Sequence, residues 1–151
     1  MPPVMAVAKY IVKISGEPVS NLKLQKLLYY VQGWNLGIYK KPVFTAEIQA
    51  WAHGPVVPNV FLALRHLRWN PVPIPTEAIT LEPQLEQHIH SVLRAYGKFT
   101  AADLERLSHT EKPWLDARGN LPPDAPSQAI ITHESMKEFF GSRVHGQKAQ
   151  G

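Results

Sequence analysis

Leu22-Lys23-Leu24-Gln25-Lys26-Leu27-Leu28-Tyr29-Tyr30-Val31-Gln32-Gly33-Trp34 is the stretch that decides the fold class. Leu24, Leu27, Leu28, Val31, Trp34 and, a turn further on, Ile38 recur close to the i, i+3, i+4, i+7 spacing of one buried helix face. Ser20 or Asn21 can cap the start, where a side-chain oxygen accepts from an otherwise unpartnered backbone N–H. Gly37 weakens the last turn and Lys41-Pro42 ends the helix. Gln25, Lys26, Tyr29, Tyr30 and Gln32 lie off the apolar stripe. This reading leaves them on an exposed face whose tyrosines and amides suit a protein interface. The competing reading packs Tyr29 or Tyr30 beneath a neighbouring loop with its hydroxyl satisfied.

Working outward, Val4, Val7, Ala8, Ile11 and Val12 predict a first helix, stopped by Gly16-Glu17-Pro18. Phe44, Ala46, Ile48, Ala50 and Ala52 alternate with more polar neighbours and predict one short strand. Gly54-Pro55 reads as a turn, and Pro58 as the first residue of a third helix carrying Val60, Phe61, Leu64 and Leu67. The prolines at 71, 73 and 75 force an extended connector. Pro83 opens a fourth helix, closed by Gly97 as a C′ residue. Thr100 with Asp103 predicts a capped helix through Leu107. Residues 108–118 read as irregular to helical, and 121–125 as a loop. Met136, Phe139 and Phe140 predict a last short helix. The expected architecture is mainly α: a single compact helical domain over residues 1–141, with at most a small β element near residues 44–52. A flexible C-terminal tail is expected over 142–151.

The 151 residues are 44% apolar and 19% charged, the balance of a folded globule and not of a disordered chain. No cysteine is present, which removes disulfides and thiolate chemistry. The formal charge of +4 has no polybasic run behind it; Lys40-Lys41 and Arg65-His66-Leu67-Arg68 are the densest basic stretches. A nucleic-acid binder would show a stronger stripe of charge. Trp34, Trp51, Trp69 and Trp114 sit beside apolar periodic positions and read as core or subcore. Without a secretory leader or an apolar stretch of about 20 residues, the expected location is the cytoplasm, with no membrane partner.

Seven histidines raise the question of a metal. His88 and His90 are two residues apart and point to different sides of a helix, and no H-E-x-x-H pair occurs. Ser108-His109-Thr110-Glu111 brings nucleophile, base and acid types together in sequence, but triads converge from distant parts of a fold. No phosphate-binding glycine loop or nucleophile elbow is present. The sequence therefore carries no expectation of a catalytic residue, metal or cofactor, and the chain is not read as an enzyme.

Three segments in series resemble the Panacea domain of SocA-like and phage GepA-like proteins. They are Leu22 to Trp34, then Ala50-Trp51-Ala52-His53-Gly54-Pro55-Val56-Val57-Pro58, then Leu107-Ser108-His109-Thr110-Glu111-Lys112-Pro113-Trp114 followed by Ala117-Arg118. The resemblance covers roughly residues 5–140. It implies an antitoxin that neutralises a cognate toxin by direct protein–protein binding. One branch of the family implies an adaptor that delivers a bound toxin to a AAA+ protease; a nucleic-acid-binding regulator is the weakest reading. The polar motif members are the candidate contacts: Gln25, Lys26, Tyr29, Gln32, His53, Arg65, His109, Glu111 and Arg118. An inward alternative joins His53, His109, Glu111 and Arg118 in a partly buried polar network that ties the second motif to the third.

Overall fold

The computed structural model describes residues 1–150, with side chains described through Val144. Among these are seven α-helices and a small sheet: α1 (Val4–Ile14), α2 (Asn21–Tyr39), β1 (Ile48–Trp51), β2 (Gly54–Val56), α3 (Pro58–Leu64), α4 (Pro83–Tyr96), α5 (Ala101–Ser108), α6 (Lys112–Arg118), β3 (Ile130–Ile131) and α7 (His133–Gln150). The mainly α expectation holds.

α2 is the axis of the molecule. Helices α1, α3, α4, α5 and α7 and strand β2 all pack against it. Fifteen of its nineteen residues are buried, so it is enclosed on nearly every side and is no surface helix with one wet face. Leu24, Leu27, Leu28 and Val31 fill the apolar core as the spacing predicts. Phe140 and Met136 of α7 join them, with the Phe140 ring against Gly33 and the α7 backbone against Gly37. Gly37 is thus not merely a weak point in the last turn; it makes room for a neighbouring helix. α7 itself runs well past Phe140 to Gln150. The expected short helix is longer than the apolar residues that signalled it, and side chains beyond Val144 lie outside the described residues.

The strand begins later than alternation suggested. Val43 and Phe44 bond to a glutamine side chain instead of a strand, and pairing starts at Ile48. The sheet order is β2-β1-β3, antiparallel throughout, with Trp51 opposite Gly54 and Ile48 opposite Ile131. The hairpin loop is Ala52-His53; Gly54-Pro55, read as the turn, is instead strand β2. Pro55 is tolerated because β2 is an edge strand. Gly54 has φ +111, and a Cβ there would lie 3.0 Å from Lys26 Cε and 3.1 Å from Ser108 Oγ. Backbone conformation and space both call for glycine.

The helix ends follow the expected chemistry with one correction, at Gly97. Ser20 is the cap of α2, accepting from Lys23 N at 3.2 Å, while Asn21 turns inward. Gly97 ends α4 in a right-handed conformation (φ −62), so no left-handed C′ residue is needed there. Pro58 and Pro83 open their helices as predicted, and Pro113 does the same for α6. Thr100 and Asp103 form a complete capping box. Thr100→Ala removes its side-chain acceptor and should cost about 1 kcal/mol, measurable by thermal or urea unfolding. Of the tryptophans, Trp114 is buried, but Trp69 is 80% exposed, which corrects its assignment to the core.

Candidate partner-binding site

The three motif segments converge on one side of α2, and their polar members mostly point inward. Gln25 Nε2 donates to Asn21 Oδ1 at 2.8 Å, and its Oε1 accepts from Val57 N at 2.9 Å. Two turns on, Gln32 Nε2 donates to Phe44 O at 2.8 Å while its Oε1 accepts from Val43 N at 2.7 Å. The two amides fasten the two ends of the segment 43–57 to the central helix, supplying backbone partners where no strand is available. Tyr29 and Tyr30 both donate to Glu111 Oε1, at 3.0 and 3.1 Å. Burial pushes both phenols up, so they remain protonated donors. Burial also lifts the Glu111 carboxyl to about 7, against the opposing pull of the two hydroxyls and Arg143.

Lys26 is enclosed behind Gly54, and burial pulls its ammonium down to about 8. Arg118 is buried without a carboxylate partner among the described residues. Its Nη1 donates to Ala50 O at 2.9 Å, and its Nη2 donates to Pro122 O at 2.8 Å and Ala125 O at 2.6 Å. The guanidinium also lies 4.7 Å from the centre of the Trp114 ring. It therefore anchors the loop after α6 to β1. The expectation of an exposed contact face is corrected for Gln25, Lys26, Tyr29, Gln32, Glu111 and Arg118, all of which are buried; apart from Lys26, each has polar atoms bonded to backbone or side chains of this chain.

The inward network is differently wired from the one expected. The second and third motifs are tied by Trp114 Nε1 donating to Trp51 O at 2.8 Å and by Arg118 to Ala50 O. Glu111 serves the first motif through Tyr29 and Tyr30. His109 stacks on Trp114, with ring centroids 4.0 Å apart, and its Nε2 is buried without a hydrogen-bond partner. Burial pulls His109 down, opposed by Glu105. His53 reaches the surface at the hairpin loop, with Nδ1 3.2 Å from Glu105 Oε1. Arg65 is exposed just after α3.

What this scaffold leaves outside is an apolar cleft of about 390 Å³ beside the hairpin, lined by Leu22, Trp51, Ala52, His53, Val56 and Phe61. Trp51 meets Phe61 edge to face at 5.1 Å, and its Nε1 donates to Gln49 Oε1 at 2.8 Å. Both walls are thereby held in place. Leu22 and Phe61 are members of the site that sequence reasoning missed. Leu22 had a signal, an apolar residue off the buried stripe of its helix, whereas Phe61 was read with the apolar residues of the third helix. Among the described residues no three His, Asp or Glu side chains converge as a metal site, and no helix is long and apolar enough to cross a membrane.

The model of the family described as "Antitoxin SocA-like, Panacea domain" matches residues 24–115. The chain belongs to the SocA-like Panacea-domain family. It is 33% identical over 120 residues to "Antitoxin SocA" of Caulobacter vibrioides (strain NA1000 / CB15N), an alignment covering 70% of this chain. The chain spans 62% of that relative's length. No solved structure matches it. The Panacea match runs from the first turn of α2 to α6, so it contains the Tyr29–Tyr30–Glu111 cluster, both glutamine fasteners, and Trp51 and Phe61 of the cleft. Leu22, Arg118 and the whole of α7 lie outside it.

Proposed function

We propose that this Panacea domain is an antitoxin that neutralises a cognate toxin by direct protein–protein binding, and that the cleft beside the β1–β2 hairpin receives the toxin. Family membership and the identity to a protein named as an antitoxin support the role. The observation that carries the location is the cleft itself. It is apolar, already formed, and backed by motif residues that tie its walls to the central helix, so binding there sacrifices little ordering entropy.

Co-expression with the product of the neighbouring open reading frame tests the role. Growth arrest by that product alone, relieved by this chain, is the expected result; a harmless product, or arrest that persists, removes the reading. Phe61→Asp tests the location. It should weaken the complex by roughly tenfold or more, about 1.4 kcal/mol, with little change in melting temperature because Phe61 is only half-buried. Unchanged affinity would move the interface elsewhere.

A further inference from the structure

Beyond Phe61 the chain leaves α3 through a tight turn whose chemistry differs from the cleft. Leu67 to Asn70 form a β-turn closed twice, by Asn70 N and by Asn70 Nδ2, each donating to Leu67 O at 3.0 Å. Arg68 takes the first central position with φ 56 and ψ −123, the type II′ conformation that favours glycine. Gly119 has the same conformation (φ 62, ψ −126) at the end of α6. The chain thus keeps an arginine under backbone strain where it uses glycine elsewhere, a pattern associated with functional positions.

The turn displays a concentrated set of recognition groups. Trp69 is 80% exposed, and Arg65, His66 and Arg68 stand just before it in sequence, all exposed. No Asp or Glu occurs between Ile48 and Thr76, and none of the three basic side chains pairs with a carboxylate among the described residues. A large indole left in water forgoes substantial apolar burial. Trp and Arg are also the residue types that most often carry interface energy, and a doubly closed turn presents them in a fixed arrangement.

We propose that the Arg65–Trp69 turn docks an acidic protein surface, whose carboxylates meet the arginines around an apolar pocket for the Trp69 indole. This rests on the protein-binding reading above and names the surface chemistry of its partner. Charge complementarity selects that occupant. Nucleic acid would match the cations and the ring, but it calls for a stripe of positive charge along a groove. Here the charge is one turn wide and runs into Pro71-Val72-Pro73-Ile74-Pro75, which carries none.

The test uses three probes against the whole chain: a Glu/Leu peptide, its Gln/Leu counterpart, and oligo-dT at the same ionic strength. Saturable quenching of tryptophan fluorescence by the Glu/Leu peptide is expected. It should be lost with Trp69→Phe and weakened about tenfold or more by Arg65→Glu/Arg68→Glu. Failure of the Glu/Leu peptide to bind, equal binding of the Gln/Leu peptide, tighter binding of oligo-dT, or indifference to the charge reversal would each overturn the proposal. In the co-expression assay the reversal should reduce neutralisation. Full neutralisation by the reversed variant sinks this surface while leaving the antitoxin role standing; absence of neutralisation by the wild type sinks the role, and the peptide assay still decides the surface.

Discussion

Gly37→Val is expected to lower stability by about 3 kcal/mol or more, roughly 10 °C in melting temperature. A Cβ at Gly37 would stand 2.7 Å from both Gly141 N and the Phe140 carbonyl carbon. Both are backbone atoms of α7, so no side-chain rotation relieves the contact and the two helices must separate. That separation would uncover Phe140, which packs on Tyr29, Tyr30 and Trp34. Gly33, one turn earlier, faces the Phe140 ring itself, and a Cβ there would collide with it. Gly16→Ala is the matched control, because a Cβ there meets nothing within 4 Å, and it should change stability by no more than about 0.5 kcal/mol. Thermal melts of the two variants check this. A Gly37→Val protein melting alongside the Gly16→Ala protein would contradict the close packing of α7 on α2.

The same helix shows what was legible in the sequence and what was not. Leu24, Leu27, Leu28 and Val31 report their burial by spacing alone, because apolar side chains need only a common face. Gln25, Lys26, Tyr29 and Gln32 do not, because the burial of a polar group depends on partners distant in the chain: Val57 for Gln25, Phe44 for Gln32 and Glu111 for Tyr29. A local signal did exist. Gln25, Tyr29 and Gln32 are spaced i, i+4, i+7, which is a second stripe on the helix and is polar throughout. Such a stripe marks either an exposed face or a helix that fastens extended segments, and only the fold distinguishes the two. β3 was invisible for a different reason: two residues are too few for alternation to show. For the candidate site, the motifs were recognisable as residues, but most of them build the scaffold. The cleft is walled by Leu22, which the apolar stripe left out, and by Trp51 and Phe61, whose apolar character made them look like core.

The buried cluster of Tyr29, Tyr30 and Glu111 makes stability depend on pH in a direction opposite to most paired carboxylates. Glu111 titrates at about 7 in the folded chain against 4.5 unfolded, because desolvation outweighs the hydroxyls of Tyr29 and Tyr30 and the charge of Arg143. The folded state therefore holds the proton more tightly. Its contribution is fully present below pH 4.5 and is lost as pH rises through about 7, where the carboxylate must be buried charged. At about 1.4 kcal/mol per pH unit, the displacement amounts to roughly 3 kcal/mol. Glu111→Gln keeps an oxygen that accepts from both tyrosines and cannot ionise. The variant should match the wild type below pH 4.5 and exceed it by up to about 3 kcal/mol above about pH 8. The difference between the two unfolding curves is the measurement that matters. His88 and His109, both pulled down by burial, favour the folded state as pH rises and would mask the trend in the wild type alone. They are common to both proteins and cancel in the difference. A difference that stays flat from acid to alkaline pH would mean that Glu111 titrates in the folded chain as it does in the unfolded one, the tyrosine hydroxyls offsetting its burial.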